Sequence, residues 1–347
     1  MADSNPSCFK DFVSLYRDRV YAILCEHMPK GEPKPFNEGM VRCYVDRKGQ
    51  YRRPSYLLLW AKLYGGNIDD AMLPAAVQQA SEDYFLMHDD WMDGNAVRRG
   101  GPAAHVMYDP AYAINAGNVV HMVMWGMAKE ACDTLGDERG KRYFAKLYDM
   151  MLVTHQGQYL DLRLTKEVGD ITKFTLEDYY ASIHAKSAYY SVYGPMQCGA
   201  IIAGADDETA GSIQEYGTPC GNAFQIKDDI LDCLSTVETL GKSIGTDVRA
   251  GTKTIILWHA VQNASTGTLE RLRTIYSKSP SEKTDDEIGF VLNTFKELGS
   301  MEYAQGEADR LVAEASEKFE ELTKDIPESQ LKSMARDSIG VSAKRNV

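Results

Sequence analysis

Apolar residues recur with helical spacing along most of the chain. The i, i+3, i+4, i+7 pattern is occupied in two representative segments, by Tyr56, Leu59, Trp60 and Leu63 and by Val119, Met122, Val123 and Gly126. This spacing puts apolar side chains on one face of an α-helix, and the strict alternation typical of a half-buried strand is nearly absent. The pattern predicts an all-α fold.

Glycine, proline and short polar residues interrupt this pattern at intervals. The interruptions lie at residues 33–37, 65–66, 94–102, 169–170, 204–207, 241–251 and 277–285. Because such residues end helices, they predict a single-domain bundle of about ten or more helices over residues 1–347. In bundles, side chains from facing helices project into a central cavity, where ligand and metal sites form. The more charged segment 282–340 is expected to form two peripheral helices, followed by a frayed tail.

The composition is that of an acidic globular protein. Hydrophobic residues make up 44% of the chain and charged residues 25%, with a formal net charge of −12. Since binding to nucleic-acid phosphates requires a basic surface, nucleic acid is excluded as the main partner. No run of about 18 apolar residues predicts a transmembrane segment, and the first residues lack the layout of a signal peptide.

The seven cysteines are scattered, and no CxxC motif occurs among them. Disulfide frameworks are typical of short secreted chains, whereas unpaired cysteines suit a reducing compartment. We therefore expect a cytoplasmic protein.

Three aspartates, Asp89, Asp90 and Asp93, form a first aspartate cluster after an apolar stretch at residues 84–87. On a helix, Asp89 and Asp93 lie one turn apart on one face, so the carboxylates repel one another unless a cation neutralises them. A single DDxxD sequence is also compatible with a solvated helix end, because exposed aspartates cost little.

A second aspartate cluster, Asp228, Asp229 and Asp232, repeats this spacing after another apolar run. Two such clusters on core helices favour a metal site over two solvated helix ends. Carboxylate oxygens suit Mg²⁺, which typically takes one or two of them and completes its shell with water and substrate phosphate. The expected ligand is a diphosphate.

Cations that could bind a diphosphate occur near both clusters. Arg98 and Arg99 follow the first cluster, Lys186 lies between the clusters, and Lys242 follows the second. Arginine chelates phosphate oxygens bidentately, and lysine acts as a point charge. A surface role is the simpler interpretation for any one of them, except Lys186, because the residues around it are apolar and predict a buried segment.

As a set, the motifs resemble the trans-isoprenyl diphosphate synthase (polyprenyl synthetase) family, which includes farnesyl and geranylgeranyl diphosphate synthases. The likeness runs from about Gly49 to Thr254. The motifs occur in the family's order, as GQYRRP (49–54), HDDWMDGNAVRRGGP (88–102), GQYLDL (157–162), KSAYYSVYGP (186–195), FQIKDDILD (224–232) and GKSIGTD (241–247). The resemblance implies the all-helical isoprenoid synthase fold and a homodimer.

The resemblance also implies a role for individual residues. The two aspartate clusters would bind about three Mg²⁺ ions, or Mn²⁺, in each active site. Arg98, Lys186 and Lys242 would hold the allylic diphosphate. Residues at the site of isopentenyl diphosphate would be Gly49, Gln50, Arg53, Glu82 and Arg99. Gln225 and Ser187 would lie near the developing allylic cation, and the expected catalytic residues are Asp89, Asp90, Asp93, Lys186, Ser187, Gln225 and Asp228.

The reaction that the resemblance implies is condensation of isopentenyl diphosphate with dimethylallyl or geranyl diphosphate. Metal and lysine charges would stabilise the departing diphosphate, and the alkene would attack the resulting cation in a dry site. A proton would then be lost, plausibly to the released diphosphate. No side-chain nucleophile is needed.

Two departures from the family pattern affect the expected isopentenyl diphosphate site. Gln50 replaces the lysine of the family's GKxxRP motif, although Lys48 is close enough in sequence to compensate. Glu82 stands seven residues before the first cluster, where many members carry His or Gln. A carboxylate repels a diphosphate unless it is protonated or paired with Arg53 or Arg99.

Two aromatic residues, Tyr84 and Phe85, lie five and four residues before Asp89. A helical turn deeper than the cluster, they would close the floor of the site early and favour a C15 product over C20. By composition alone they could equally be packing residues of the core.

Two other functions remain open at this point. A terpene synthase on the same fold would ionise one allylic diphosphate and need no second site, which Gln50 and Glu82 favour and Arg53 and Arg99 do not. A non-catalytic partner subunit would be expected to lack aspartates from one cluster, and all six are present.

Overall fold

The computed structural model describes residues 6–234 and 245–343, and it describes side chains as far as Ser338. Ten helices precede the gap, namely α1 (Phe9–His27), α2 (Cys43–Asp46), α3 (Arg52–Leu63), α4 (Ile68–Asp93), α5 (Ala104–Met107), α6 (Pro110–Leu135), α7 (Asp137–Lys166), α8 (Leu176–Ile183), α9 (Gly194–Ile202) and α10 (Asp207–Leu234). After the gap come α11 (Thr246–Ala250), α12 (Ile255–Asn263), α13 (Thr266–Tyr276), α14 (Asp285–Glu297), α15 (Ser300–Leu322) and α16 (Gln330–Ala343). The predicted all-α fold is confirmed.

Shorter elements connect these helices. Two segments are π-helical, Pro35–Met40 and His184–Tyr193, and Ile171–Lys173 forms a 3₁₀ turn. Strands β1 (Val97–Arg98) and β2 (Gly101–Pro102) pair as an antiparallel hairpin. The hairpin fills the predicted break at residues 94–102, where the sequence pattern indicated no strand.

The chain falls into two compact units. The first takes in the described residues up to Asp149 together with Gly194–Ile213 and Thr323–Ser338. Within it, α4 packs against α1, α3 and α6, and α3 packs against α9. The last contact is close, because a Cβ at Gly199 would lie 2.2 Å from the Leu57 carbonyl oxygen. The first unit therefore has its own helical core.

The second unit takes in Met150–Tyr193 and the described residues of Gln214–Leu322. Its core is a cluster of buried apolar side chains from α8, α10 and α12 to α15. The segment after residue 282 forms three helices rather than the two that were predicted, because additional breaks occur at Gly299, where φ is +65°, and around Pro327. Helices α14 and α15 contribute buried residues such as Phe295 and Ala304 to that core.

Among the residues that the structure describes, no helix has the length and apolarity needed to cross a membrane. The predicted cytoplasmic location and the single-domain organisation stay predictions.

Candidate active site

The first aspartate cluster lies in the last turns of α4. This helix begins after Asn67, whose side chain accepts a hydrogen bond from the Asp69 amide, and it ends at Gly94 with φ of 71°. The C-terminal end of a helix carries partial negative charge, so carboxylates there are unfavourable until cations compensate. The local fold therefore favours binding of cations at the cluster.

Asp90 is fully buried, and both of its carboxylate oxygens accept hydrogen bonds. Arg98 Nε donates to each oxygen at 3.0 Å, and Arg98 Nη2 donates to Oδ1. The Tyr44 hydroxyl donates to Oδ2 at 2.6 Å. The role of Asp90 as a metal ligand stays a prediction, and in the structure its oxygens accept these hydrogen bonds instead. These bonds support a role in holding Arg98.

The hairpin carries Arg98 and Arg99 back towards α4. Its turn residues Arg99 and Gly100 have φ of 50° and 73°. A two-residue hairpin turn of this type requires positive φ at both positions, which glycine adopts freely and arginine only with strain. The turn directs neighbouring arginines to different partners, since Arg98 bonds Asp90 and Arg99 bonds Asp83.

Arg53, Glu82 and Arg99 form what we call the arginine site. Glu82 Oε1 lies 3.2 Å from Arg53 Nη1 and 3.6 Å from Arg99 Nη2. The other terminal nitrogen, Arg99 Nη1, donates to Asp83 Oδ1 at 2.7 Å and to the Tyr44 carbonyl oxygen at 2.6 Å. Glu82 is thus paired with both arginines.

The carboxylates of Glu82 and Asp83 differ in the direction of their pKa shifts. Burial opposes ionisation of Glu82, but Arg53 and Arg99 together outweigh it and lower the pKa of this group. At Asp83 burial outweighs the attraction of Arg99 and raises the pKa to about 6. Glu82 is therefore ionised at neutral pH, and the carboxylates largely offset the positive charge of the two guanidinium groups.

The GQYRRP segment contributes Arg53 to the arginine site, and its first residue, Gly49, lies beside Arg99. A Cβ at Gly49 would lie 2.7 Å from Arg99 Nη2, so the backbone there approaches the guanidinium closely. Gln50 is exposed. Lys48 donates to Asp18 at 2.9 Å and lies 4.2 Å from the centroid of the Tyr21 ring. The expectation that Lys48 compensates for Gln50 is not supported, because its ammonium is engaged elsewhere.

The second aspartate cluster lies in the last two turns of α10. Asp229 is buried and accepts a hydrogen bond from the Tyr179 hydroxyl at 2.7 Å and from Gln225 Nε2 at 3.0 Å. Burial raises the pKa of Asp229 to about 7 in spite of these bonds, and the charges of Asp228 and Asp232 add to the rise. A cation bound to the cluster would reverse this effect, because it stabilises the ionised form.

Asp232 is held by the first residues of α11. The Thr246 hydroxyl donates to Asp232 Oδ1, and the Asp247 amide donates to Oδ2 at 2.9 Å. Since these bonds use side-chain and backbone donors, they orient the carboxylate without neutralising its charge. Asp232 is therefore anchored and still able to attract a cation.

Lys186 and Ser187 lie in the π-helix His184–Tyr193. Lys186 Nζ donates to Asp161 Oδ2 of the GQYLDL motif at 2.7 Å. A Cβ at Gly157, in the same motif, would lie 2.3 Å from the Lys186 amide nitrogen, so only glycine fits there. π-Helical turns occur frequently at functional sites. The sequence pattern indicated an ordinary buried helix at this position.

The sequence predicts a metal site at the two aspartate clusters. Within residues 6–234 and 245–343, no group of three or more His, Cys, Asp or Glu side chains could hold a metal ion unaided. The predicted binding of Mg²⁺ does not require such a group, because Mg²⁺ usually binds through one or two carboxylates and completes its shell with substrate phosphates and water. Lys242, predicted to bind the allylic diphosphate, lies outside the described residues.

Tyr84 and Phe85 form part of an aromatic stack in the first unit. The Tyr84 ring is buried, with its centroid 4.5 Å from that of Phe85 and 4.3 Å from that of His121 on α6. Tyr84 and Phe85 thus take part in core packing, which is one of the two roles that the sequence left open for them. Their proposed role in limiting chain length stays a prediction.

Sequence reasoning missed several residues that support the site. Tyr44 and Tyr179 each donate a hydroxyl hydrogen bond to the second aspartate of a cluster, across sequence separations of 46 and 50 residues. Asp83 forms an ion pair with Arg99, and Asp161 forms one with Lys186. Asp161 lies in a recognised motif, whereas no local signal distinguishes the other three from core residues.

Comparisons with known proteins agree with this architecture. The model of the polyprenyl synthetase family matches residues 34–291. The short chain isoprenyl diphosphate synthase of Methanothermobacter thermautotrophicus is 34% identical over 79% of this chain and 81% of its own. The geranylgeranyl diphosphate synthase of Methanosarcina mazei is 31% identical over 92% of this chain and 94% of its own.

A solved structure extends the likeness to the fold. The geranylgeranyl pyrophosphate synthetase of Pyrococcus horikoshii Ot3 superposes with a TM-score of 0.84 at 26% identity, over 97% of this chain and 99% of that one. The match of the family model over most of the chain, with relatives above 30% identity over 81% and 94% of their own length, determines the family. The chain belongs to the polyprenyl synthetase family of trans-isoprenyl diphosphate synthases.

Proposed function

We propose that the protein condenses isopentenyl diphosphate with dimethylallyl and geranyl diphosphate and releases a short-chain trans-prenyl diphosphate. The observation that carries this proposal is the arginine site. Arg53 and Arg99 are retained and lie close enough to share Glu82. An enzyme that ionises a single allylic diphosphate has no use for a second diphosphate-binding site such as the one that Arg53 and Arg99 would form.

The first step is ionisation of the allylic substrate. Arg98 and Lys186, with Lys242, bind its diphosphate, and the carbon–oxygen bond breaks with both electrons passing to the diphosphate oxygen. Gln225 and Ser187 present polar oxygen atoms to the allylic cation that results. Dipoles that are fixed before the reaction stabilise developing charge without the cost of reorganisation.

Arg53 and Arg99 bind the diphosphate of isopentenyl diphosphate and fix the position of its alkene. The alkene attacks the allylic carbon, a new carbon–carbon bond forms, and a proton leaves the adjacent carbon to the released diphosphate. Holding the two reactants in this geometry accounts for much of the expected acceleration. Exclusion of water protects the cation from hydrolysis.

Divalent metal is expected to bind at the aspartate clusters, with Asp89, Asp93 and Asp228 as the leading ligands and Asp90, Asp229 and Asp232 in support. The expected number is about three Mg²⁺ ions. When bound, Mg²⁺ neutralises negative charge on the departing diphosphate. Mn²⁺ has similar oxygen-ligand preferences and is expected to substitute for it.

We propose farnesyl diphosphate, C15, as the main product. Tyr84 and Phe85 stack one turn before the first cluster, where they would stop a growing chain. Geranylgeranyl diphosphate, C20, is the second candidate, and the name of the Methanosarcina mazei relative favours it.

We also propose a homodimer. Helices α6 and α7 leave several large apolar side chains exposed, including Tyr112, Met122, Tyr148, Leu152 and Tyr159. We expect such side chains to contribute to the interface between the two copies, because exposed apolar surface often marks a protein–protein interface. Light scattering on the purified protein tests this, and a monomer would contradict it.

An assay with Mg²⁺, labelled isopentenyl diphosphate and each allylic diphosphate in turn tests the main proposal. Label in a longer prenyl diphosphate is the expected result. Release of diphosphate without incorporation of label would indicate a terpene synthase instead. If neither occurs in the isolated protein but it alters the activity of another synthase, the partner-subunit alternative holds. Asp89→Asn and Asp228→Asn should each abolish turnover and leave a modulating effect intact.

A further inference from the structure

Asp83 lies next to Glu82 on α4 but has a different environment. Its side chain is fully buried. Oδ1 accepts hydrogen bonds from Arg99 Nη1 at 2.7 Å and from Gln79 Nε2 at 3.0 Å. Gln79 is one helical turn before Asp83, so the carboxylate is fixed both from its own helix and from the hairpin. Neither Asp83 nor Gln79 belongs to a motif that the sequence singled out.

The contacts of Arg99 divide its guanidinium into two sides. Nη1 is used entirely by the protein framework, through Asp83 and the Tyr44 carbonyl oxygen. Nη2 is buried, has no hydrogen-bond partner within 3.5 Å among the residues that the structure describes, and lies 3.6 Å from Glu82 Oε1. A buried guanidinium nitrogen without a hydrogen-bond acceptor is costly, so it points to a ligand that completes its bonding.

Glu82 and Asp83 therefore act on opposite sides of Arg99. Glu82 lies on the Nη2 side, which it shares with Arg53, and an incoming anion would take its place there. Asp83 lies on the Nη1 side of the guanidinium, and a diphosphate bound at Nη2 would not occupy that side. Its contact can persist when a diphosphate binds.

A carboxylate at this position carries a clear energetic cost. Burial raises the pKa of Asp83 to about 6, even with Arg99 beside it. The backbone of Arg99 also stands in the left-handed region, with φ of 50°. Strained or poorly solvated groups persist where the surrounding contacts hold them, and they concentrate at functional sites.

We propose that Asp83 is a positioning residue for Arg99, holding Nη1 so that Nη2 faces the diphosphate of isopentenyl diphosphate. This inference rests on the proposed function, because it assumes that the arginine site binds the second substrate. Asp83 acts only through Arg99 and touches no substrate.

The test measures steady-state kinetics of Asp83→Asn against the wild-type protein. Asparagine keeps the size of the side chain and removes its charge. The KM for isopentenyl diphosphate is expected to rise about tenfold or more, since charge-assisted hydrogen bonds are the strong ones. The KM for the allylic diphosphate and kcat should change less than about twofold, because Arg98 has its own partner in Asp90.

Asp70→Asn is the matched control. Asp70 is on the same helix and pairs with Arg139 at 3.1 Å, in a partly exposed position. It lies 13 residues before Asp83, or about 20 Å along the helix axis. The control should leave both KM values unchanged.

The outcomes separate the inference from the function on which it rests. If the wild-type protein incorporates isopentenyl diphosphate and Asp83→Asn leaves its KM unchanged, the inference alone is wrong. A fall in kcat and a rise of both KM values, together with a lower Tm, would show a general structural role and also overturn it. If the wild-type protein incorporates no label, the proposed function fails and the inference fails with it.

If Asp83→Asn does not fold, the Gln79→Leu variant provides a second test of the proposal. It removes the hydrogen bond that orients Asp83 and keeps Arg99 and its ion pair. The KM for isopentenyl diphosphate is then expected to rise by about two- to tenfold, the range for one hydrogen bond. An unchanged KM in a folded Gln79→Leu variant would count against the proposal.

Discussion

Glu82 Oε1 lies 3.2 Å from Nη1 of Arg53, so a carboxylate occupies the place where this guanidinium would bind a phosphate oxygen. The same carboxylate is 3.6 Å from Arg99. If the arginine site binds the second substrate as proposed, the substrate must displace Glu82, at a position where many members of the family are expected to have His or Gln. Such an exchange would lower the affinity of the arginine site for a diphosphate, because Glu82 already compensates part of the positive charge.

Glu82→Gln should therefore improve binding of the second substrate. An amide is a similar size, lacks the charge, and adds a donor for a phosphate oxygen. We expect the KM for isopentenyl diphosphate to fall about threefold to tenfold, equivalent to about 0.7 to 1.4 kcal/mol. The KM for the allylic diphosphate serves as the internal control. An increase in the KM for isopentenyl diphosphate would show that Glu82 orients Arg53 and Arg99 rather than competing for them.

The two buried tyrosines that bond the aspartate clusters should tune metal binding. In Tyr44→Phe and Tyr179→Phe, Asp90 and Asp229 each lose one short hydrogen bond. Because a hydrogen bond to a charged group contributes about 1.5 to 3 kcal/mol, we expect the Mg²⁺ concentration for half-maximal activity to rise by about tenfold to a hundredfold. Tyr143→Phe is the matched control, since this buried hydroxyl has no hydrogen-bond partner in the described part of the chain. Equal effects of all three substitutions would mean that the tyrosines act only through packing.

Removing one ring of the aromatic stack should lengthen the product. Phe85→Ala leaves Tyr84 against His121, whose ring centroids lie 4.3 Å apart, and opens space beside them. Product analysis should show a shift from C15 to C20 or longer, at the cost of about 2 to 4 kcal/mol of stability for the truncated side chain. A wild-type C20 product that Phe85→Ala does not change would contradict the chain-length assignment.

Lys283 should make stability depend on pH in the alkaline range. Its ammonium is buried and bonds the carbonyl oxygens of Val248 at 2.8 Å and Arg249 at 2.9 Å. Burial, aided by the charge of Arg249, lowers its pKa from the ordinary 10.5 to about 8. Between these two values the unfolded chain binds more protons than the folded one, so the contribution of this group to the free energy of unfolding increases with pH.

The check is urea denaturation of the wild-type protein and Lys283→Met at pH 8, 9 and 10. The wild-type protein should gain stability relative to the variant by about 1 kcal/mol per pH unit, slightly less than the limit for one titrating group. A difference that stays constant over this range would show that the lysine has its ordinary pKa.

The fold could be predicted because helical periodicity is a local signal. The apolar face of α3, with Tyr56, Leu59 and Trp60, needs no knowledge of the rest of the chain. Breaks marked by a single glycine or proline are weaker signals, so the separation of α14 from α15 at Gly299 was missed. The hairpin was missed because strands of two residues are too short to show alternation.

The site was predictable only where the motifs are contiguous. Both aspartate clusters could be inferred from spacing and charge, and the resemblance to the family drew attention to Glu82 and its pairing with Arg53 or Arg99. The pairing of Asp83 with Arg99 and that of Tyr179 with Asp229 depend on tertiary contacts between distant segments. Buried polar residues of this kind look like ordinary helix positions until their partners are known.

The ratio of isopentenyl diphosphate incorporated to diphosphate released tests the central claim most directly. Both quantities are measured in one reaction with Mg²⁺, labelled isopentenyl diphosphate and geranyl diphosphate. A chain-elongating synthase whose arginine site binds its second substrate gives a ratio of about one, because each ionisation ends in one condensation. A ratio near zero with continued release of diphosphate would contradict the account, since ionisation would then proceed without the second substrate.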